Sequence, residues 1–334
     1  MLTLATSPFR LYESKYDKYI EKKEVKPIFI IGHFRSGTTY LHNILCQDKK
    51  IAYVTTFQTM APKNIIVMKN FFKKLLSDSL PETRPMDDVK MAADYPYEEE
   101  YAVANLSPYS FYHGWYFPRN MKKYFKKYVL FDSIDKKILK RWKDVYSYTL
   151  KKAAFYMGKE KIILKNPPNT GRIKQLLEMF PNAKFIHIYR NPYHVYFSTV
   201  KLYEGIMPLF TLQKYQMEKI KQDIFYFYEE MYKKFFKEQH LINEENYIEI
   251  RYEDFVKEPL KTVEVIYKKL KYSNFDKVKN DFKYYIASQS HYNQRKYKIS
   301  KEMKDKIYSH WHLTILNSPV SRLKGDIGKA NTSL

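Results

Sequence analysis

Apolar positions fall along this chain in two registers. Short runs that are apolar almost throughout, at 28–31, 162–165, 185–189 and 247–251, have the length and β-branched content of strands buried in a sheet. Each is followed by a stretch with apolar residues every three or four positions, at 38–47, 171–179, 193–202 and 259–270, the spacing of an amphipathic helix. Strand-then-helix units in series predict an α/β, P-loop-like three-layer fold: a central, mostly parallel sheet with helices on both faces. A further long helix is expected around 211–240, where Phe225, Tyr228, Tyr232 and Phe236 read as a core stripe. Between the first two units lies a largely helical, aromatic insertion, roughly 55–160, expected to cover the acceptor side of any site on the sheet.

The first unit carries chemistry. Its strand ends in Gly32-His33-Phe34-Arg35-Ser36-Gly37-Thr38-Thr39, a glycine loop that opens a helix. Such a turn aims backbone N–H groups and the positive end of a helix at one point, which suits an anion. The spacing Gly32-x4-Gly37 matches a nucleotide P-loop, but Thr38-Thr39 stands where that motif needs a lysine followed by Ser or Thr. Positive charge comes earlier, at Arg35, with hydroxyls at Ser36, Thr38 and Thr39. The third unit adds Arg190 at the carboxyl end of its strand, where open α/β sheets bind ligands and where a P-loop ATPase normally places a metal-holding acid. An arginine there favours a second phosphate held by a guanidinium fork, and Ser198, in the next helix, can add a hydroxyl.

The run Arg35-Ser36-Gly37-Thr38-Thr39-Tyr40-Leu41 resembles the 5′-phosphosulfate loop of sulfotransferases that use 3′-phosphoadenosine 5′-phosphosulfate (PAPS), and Arg190 with Ser198 resembles that family's 3′-phosphate site. The resemblance implies PAPS as co-substrate, 3′-phosphoadenosine 5′-phosphate as product, and no metal. It extends, less specifically, to three more segments. Ile163-Leu164-Lys165-Asn166-Pro167 is similar to the segment whose lysine stabilises charge on the departing bridging oxygen. Tyr252-Glu253-Asp254 is similar to an element whose tyrosine contacts the adenine. Arg322-Leu323-Lys324-Gly325 is similar to a 3′-phosphate loop, but its spacing is imperfect and it is left out of the site.

A base must take the acceptor's proton. Some members carry a histidine two residues after that lysine; here Pro167 stands there. Pro96-Tyr97-Glu98-Glu99-Glu100 resembles an acidic element of the wider group, in which a glutamate is the usual alternative base, implying Glu98 with Glu100 behind it. Acids at a helix start are also what the helix dipole favours. Among the histidines, His33 reads as satisfied by a backbone carbonyl, and His42 and His187 as core or helix-face residues. With no metal-ligand spacing and a single cysteine, Cys46, no zinc site is expected.

The chain has 334 residues, eight of them glycine, and no Gly/Ser/Pro-rich linker between the motifs, so one domain over 1–334 is expected. The formal charge of +23 is largely lysine, and residues 121–161 hold thirteen Lys or Arg against four Asp or Glu. Biased composition alone yields such a surplus; a face of this kind also attracts an anionic surface, an acidic glycan or nucleic acid. Two other functions follow: a nucleic-acid or anionic-surface binding protein, which leaves the ordered loops unexplained, and a P-loop small-molecule kinase, which lacks its lysine and metal acid. No apolar stretch is long enough to span a membrane and the N-terminus lacks a signal-peptide pattern, so a cytoplasmic location is expected. The expected acceptor is hydroxyl-bearing, with phenol, glycan, lipid and peptide tyrosine all open; no obligate protein partner is inferred.

Overall fold

Four strands pair side by side in the order β2-β1-β3-β4: β1 (Lys26–Ile31), β2 (Lys161–Lys165), β3 (Lys184–Tyr189) and β4 (Tyr247–Arg251). Every pairing is parallel, with Ile28 opposite Ile163 and Ile30 opposite Ile186. A short parallel bridge from Ala52 to Ile162 extends the β2 edge. The fold comes from a computed structural model and is described for residues 12–67, 69–83, 90–289 and 297–317. Arg322 to Gly325 lie outside the described residues.

Parallel strands need crossovers, which helices supply. In chain order these are α1 (Thr38–Leu45), α2 (Glu99–Leu106), α3 (Lys136–Met157), α4 (Ile173–Met179), α5 (Pro192–Phe210), α6 (Met217–Glu238), α7 (Tyr252–Lys257), α8 (Pro259–Lys269), α9 (Phe275–Ser288) and α10 (Lys301–Asn317), with a further helix at Lys69–Ser79 and several short helical turns besides. Alternation along the strands sends side chains to two cores. Phe29, Ile31, Leu164 and Phe185 pack with Leu150 of α3, Tyr196 of α5, Tyr228 of α6 and Trp311 of α10. Ile28, Ile30, Ile163 and Ile186 pack with Leu41 and Ile44 of α1, Ile266 of α8 and Phe282 of α9. The sheet is thus the middle of three layers, as the strand-helix pattern predicts, and wholly rather than mostly parallel.

Two boundaries move. The third-unit helix, expected to stop at 202, continues to Phe210 through Pro208, because Tyr203, Ile206 and Met207 are buried in the first core. The helix expected around 211–240 therefore begins only at Met217, with its stripe of Phe225, Tyr228 and Tyr232 buried as read. The insertion is helical as expected. Its main helix, α3, is capped by Asp135, whose side chain accepts from the N–H groups of Lys137 and Ile138, and it ends at Gly158 in the left-handed region.

Candidate functional site

β1 and β3 are neighbours whose onward connections run to opposite sides of the sheet, and their carboxyl ends border the crevice where such sheets bind ligands. The loop after β1 fills that crevice. Gly32 takes φ +142°, and a Cβ there would lie 2.2 Å from the Ile188 carbonyl oxygen, so no other residue fits. Its N–H donates to the Thr170 hydroxyl at 2.8 Å, tying the loop to the turn after β2. The His33 ring sits 2.9 Å from the Phe34 carbonyl oxygen through Nδ1, the backbone satisfaction read from sequence, and burial pushes it down to about 4. Arg35 is held at φ +68°, uncommon outside glycine, and Gly37 at φ +90° caps α1 with no side chain to compete for its first N–H groups.

Around this loop the predicted donor-site residues converge. Arg35 donates from Nε to the Ser198 hydroxyl of α5 at 2.9 Å. Arg190, at the end of β3, donates to the Arg35 carbonyl at 3.0 Å, and its guanidinium lies 4.4 Å from the centre of the Tyr252 ring. Tyr252 opens α7 beyond β4, and a Cβ on Gly37 would come within 2.2 Å of its ring. Ser36 is buried with a hydroxyl oxygen that has no hydrogen-bond partner, while Thr38 is buried and Thr39 half-buried in the first turn of α1. Arg35, Ser36, Gly37, Thr38, Thr39, Arg190, Ser198 and Tyr252 therefore share one place. Ser198 reaches it through Arg35 rather than beside Arg190, a pairing that the eight-residue spacing did not show.

Next to this cradle, β2 ends in the buried Lys165, whose ammonium pairs with Glu98. Glu98 is the N-cap residue of α2, and its other carboxylate oxygen accepts from the Tyr112 hydroxyl. Burial, and then the Glu98 charge, push the Tyr112 phenol well up, so it remains a donor. His42 of α1 is close enough to feel Lys165: burial first, then that charge, push its ring down to about 3, and it is neutral. Its Nε2 is buried without a partner.

Helical geometry turns successive side chains by about 100°, so the three consecutive acids part company. Glu99 takes hydrogen bonds from Tyr146 at 2.6 Å and Asn169 at 2.8 Å, and burial raises its pKa. Glu100 meets Arg172 in a two-pronged pair at 2.6 and 3.0 Å and accepts from Asn166 and Ser110, each at 2.8 Å. Burial pushes Glu100 up, but Arg172 and these donors outweigh it and leave the carboxyl below its usual range. Glu100, read from the sequence as standing behind Glu98, is fully buried and paired with Arg172. Sequence reasoning found neither Arg172 nor Tyr112 as a partner of these acids, and took His42 for packing. No local pattern marks contacts made 72 and 14 residues away.

Aromatic rings from the insertion and α5 wall the Glu98 side. Tyr112 stacks on Trp115 at 4.0 Å, Tyr101 meets Tyr112 at 4.7 Å, and Trp115 lies 6.0 Å from Phe210. The basic segment 121–161 is less uniform than its composition. Lys122, Lys123, Lys136, Lys137 and Lys140 are exposed, whereas Lys152 is buried and paired with Glu13 at 2.6 Å. Among the described residues no group of three His, Cys, Asp or Glu could hold a metal, and no helix is long and apolar enough to cross a membrane.

The chain belongs to the sulfotransferase family, whose profile matches residues 27–277, from β1 past β4, and it is an enzyme. It is 29% identical over 285 residues, 85% of this chain and 73% of the relative, to the omega-hydroxy-beta-dihydromenaquinone-9 sulfotransferase Stf3 of Mycobacterium bovis. The same figures hold for Stf3 of Mycobacterium tuberculosis. In fold it resembles sulfotransferase STF9 from Mycobacterium avium, with a TM-score of 0.69 at 16% identity over 92% of this chain and 81% of that one. Sulfotransferase STF1 from Mycobacterium tuberculosis gives 0.66 at 16% identity, over 91% and 81%.

Proposed function

We propose that this sulfotransferase moves the sulfuryl group of PAPS to the hydroxyl of an apolar, lipid-like alcohol, with residues 1–334 acting as one catalytic unit. The observation that carries the reading is the placement of the Lys165–Glu98 pair at the end of β2, beside the anion cradle at the end of β1.

The residues present fit the donor. An orphaned, buried Ser36 hydroxyl, a helix start with no side-chain cap and a glycine pressed against an aromatic ring suit a phosphosulfate and its nucleoside. When bound, PAPS supplies an activated sulfuryl group and leaves as 3′-phosphoadenosine 5′-phosphate. Arg35, Ser36, Gly37, Thr38 and Thr39 hold the 5′ end. Arg190 takes the 3′-phosphate, Ser198 fixes the Arg35 side chain as well as offering its own hydroxyl, and the Tyr252 ring backs the adenine.

Glu98 takes the acceptor proton. Its carboxylate is held at both oxygens, by Lys165 and by Tyr112, so it meets the hydroxyl in a fixed orientation. Lys165 places positive charge where negative charge builds on the donor's bridging oxygen. The wall of Tyr101, Tyr112, Trp115 and Phe210 is built mainly of aromatic carbon, which favours an acceptor with an apolar body. The Stf3 relatives, named for a hydroxylated menaquinone, support the same class.

The test is transfer from labelled PAPS to a set of soluble acceptors: a short-chain isoprenoid ω-alcohol, a phenol, a tyrosine peptide and an oligosaccharide. Preferential labelling of the isoprenoid alcohol, lost in Glu98→Gln, supports the reading. Labelling of the oligosaccharide or peptide instead refutes the acceptor class.

A further inference from the structure

The carboxyl end of α5 and the turn after it form an apolar projection. Leu209 is 60% exposed and Leu212 72% exposed, with Pro208 also exposed beside them. Single exposed leucines need no explanation, but a cluster of them at one turn does. From Gly205 to Met217 the sequence carries one charged residue, Lys214.

The projection is tied to the aromatic wall. The Leu212 N–H donates to the Tyr116 carbonyl at 2.9 Å, and the Arg119 N–H donates to the Gln213 side chain at 3.4 Å. Phe210, between the two leucines, lies 6.0 Å from Trp115, which stacks on Tyr112, whose hydroxyl reaches Glu98. A chain of ring contacts thus links the exposed leucines to the carboxylate proposed as the base.

We infer that this projection is a docking surface for an anionic phospholipid bilayer. Leu209 and Leu212 enter the acyl boundary, and Arg119, Lys123 and Lys214, all exposed, face the headgroups. Charge complementarity selects the membrane as occupant. The turn holds no acid, and the acids that flank it, Glu204 and Glu218, lie at its two ends, with Glu218 paired to Lys221 at 2.7 Å. The inference rests on the lipid-alcohol reading for its purpose: an apolar acceptor passes from the bilayer along the rings to Glu98 with little exposure to water.

The experiment is flotation of the full chain with vesicles of phosphatidylcholine alone or mixed with phosphatidylglycerol, at low and high salt. The expected result is salt-sensitive flotation with the phosphatidylglycerol vesicles. Leu209→Ser/Leu212→Ser should reduce partitioning by about tenfold or more. Its circular dichroism and its turnover of a soluble short-chain alcohol should stay unchanged. Lys214→Glu should weaken flotation with anionic vesicles only. Absence of flotation by the natural protein, or equal flotation of the double variant, overturns the proposal. So does size-exclusion with light scattering that finds a dimer split by the double variant, which makes the patch a contact between copies. Failure of the acceptor reading shows separately, as lost transfer to the soluble alcohol while flotation persists.

Discussion

Arg190 donates from its guanidinium to the main-chain carbonyl of Arg35 at 3.0 Å, so the arginine ending β3 is positioned by the loop ending β1. With the Arg35 side chain held in turn by Ser198, both arginines are oriented by the fold itself, and on the proposed roles this readies the site for a ligand carrying two anionic groups.

Arg190→Ala removes a guanidinium fork and releases the Arg35 loop. Charge-assisted hydrogen bonds of this kind contribute roughly 1.5–3 kcal/mol, so affinity for 3′-phosphoadenosine 5′-phosphate should fall by about tenfold to a hundredfold. Affinity for 5′-AMP, which lacks the 3′-phosphate but still uses the Arg35 loop, should fall by a smaller factor. Calorimetric titration of both nucleotides against both proteins checks this, and equal losses for the two would remove Arg190 from the 3′-phosphate.

Gly37→Ala places a Cβ 2.2 Å from the Tyr252 ring at φ +90°. Backbone strain alone costs about 1 kcal/mol, and the clash displaces the ring that stacks on Arg190. The melting temperature should drop, and bisphosphate binding should fall further than that loss of stability accounts for. A variant with unaltered nucleotide affinity would show that Tyr252 is not part of the donor site.

Glu98→Gln keeps the size of the side chain but removes the proposed base. Turnover should fall by about 10²- to 10⁴-fold, with bisphosphate affinity retained. Tyr112→Phe removes one hydrogen bond to the same carboxylate and should lower turnover by less than about tenfold, with little change in KM for PAPS. Steady-state kinetics with the best soluble acceptor separates the two, and normal turnover by Glu98→Gln would assign the base elsewhere.

Glu100 and Arg172 form a fully buried pair, and breaking it by Arg172→Met leaves a stranded carboxylate that costs about 3–5 kcal/mol. The double variant Glu100→Leu/Arg172→Met should recover much of that loss. Urea unfolding of both resolves it, and additive losses would mean that the two residues act independently.

His33 and His42 are pushed down by burial to about 4 and about 3. Above pH ~6.5 the rings are neutral in folded and unfolded chain alike; as pH falls below that, the unfolded chain binds protons that the folded chain refuses. Stability should therefore decline from about pH 6.5 down to about pH 4, by up to about 1.4 kcal/mol per pH unit for each ring. His42→Gln should lessen this slope relative to the natural protein in urea unfolding at pH 7.5 and 5. An unchanged slope would mean that His42 titrates while folded.

The sheet and the convergence of the loop after β1 with Arg190 were legible because each rests on a few consecutive residues. Strand runs, the glycine loop and Arg190 at a strand end all write their geometry locally, and parallel order then gathers their ends. What escaped was contact between distant segments. That Glu98, Glu99 and Glu100 face three different partners follows from where Lys165, Tyr146 and Arg172 lie in space. Helix length escaped for a related reason: burial of Ile206 and Met207 carries α5 through Pro208, against the local preference of proline.

The split between strand ends and insertion has an evolutionary meaning. On the proposed roles, the donor is held by the turns after β1, β3 and β4, while the rings facing the acceptor come from the 97–131 segment and the end of α5, outside the sheet. On the proposed roles, sequence drift in those outer segments can retarget the enzyme without disturbing its co-substrate. Glu98 and Lys165 meet across the seam, and any graft of one relative's acceptor cassette onto another's sheet must preserve that join.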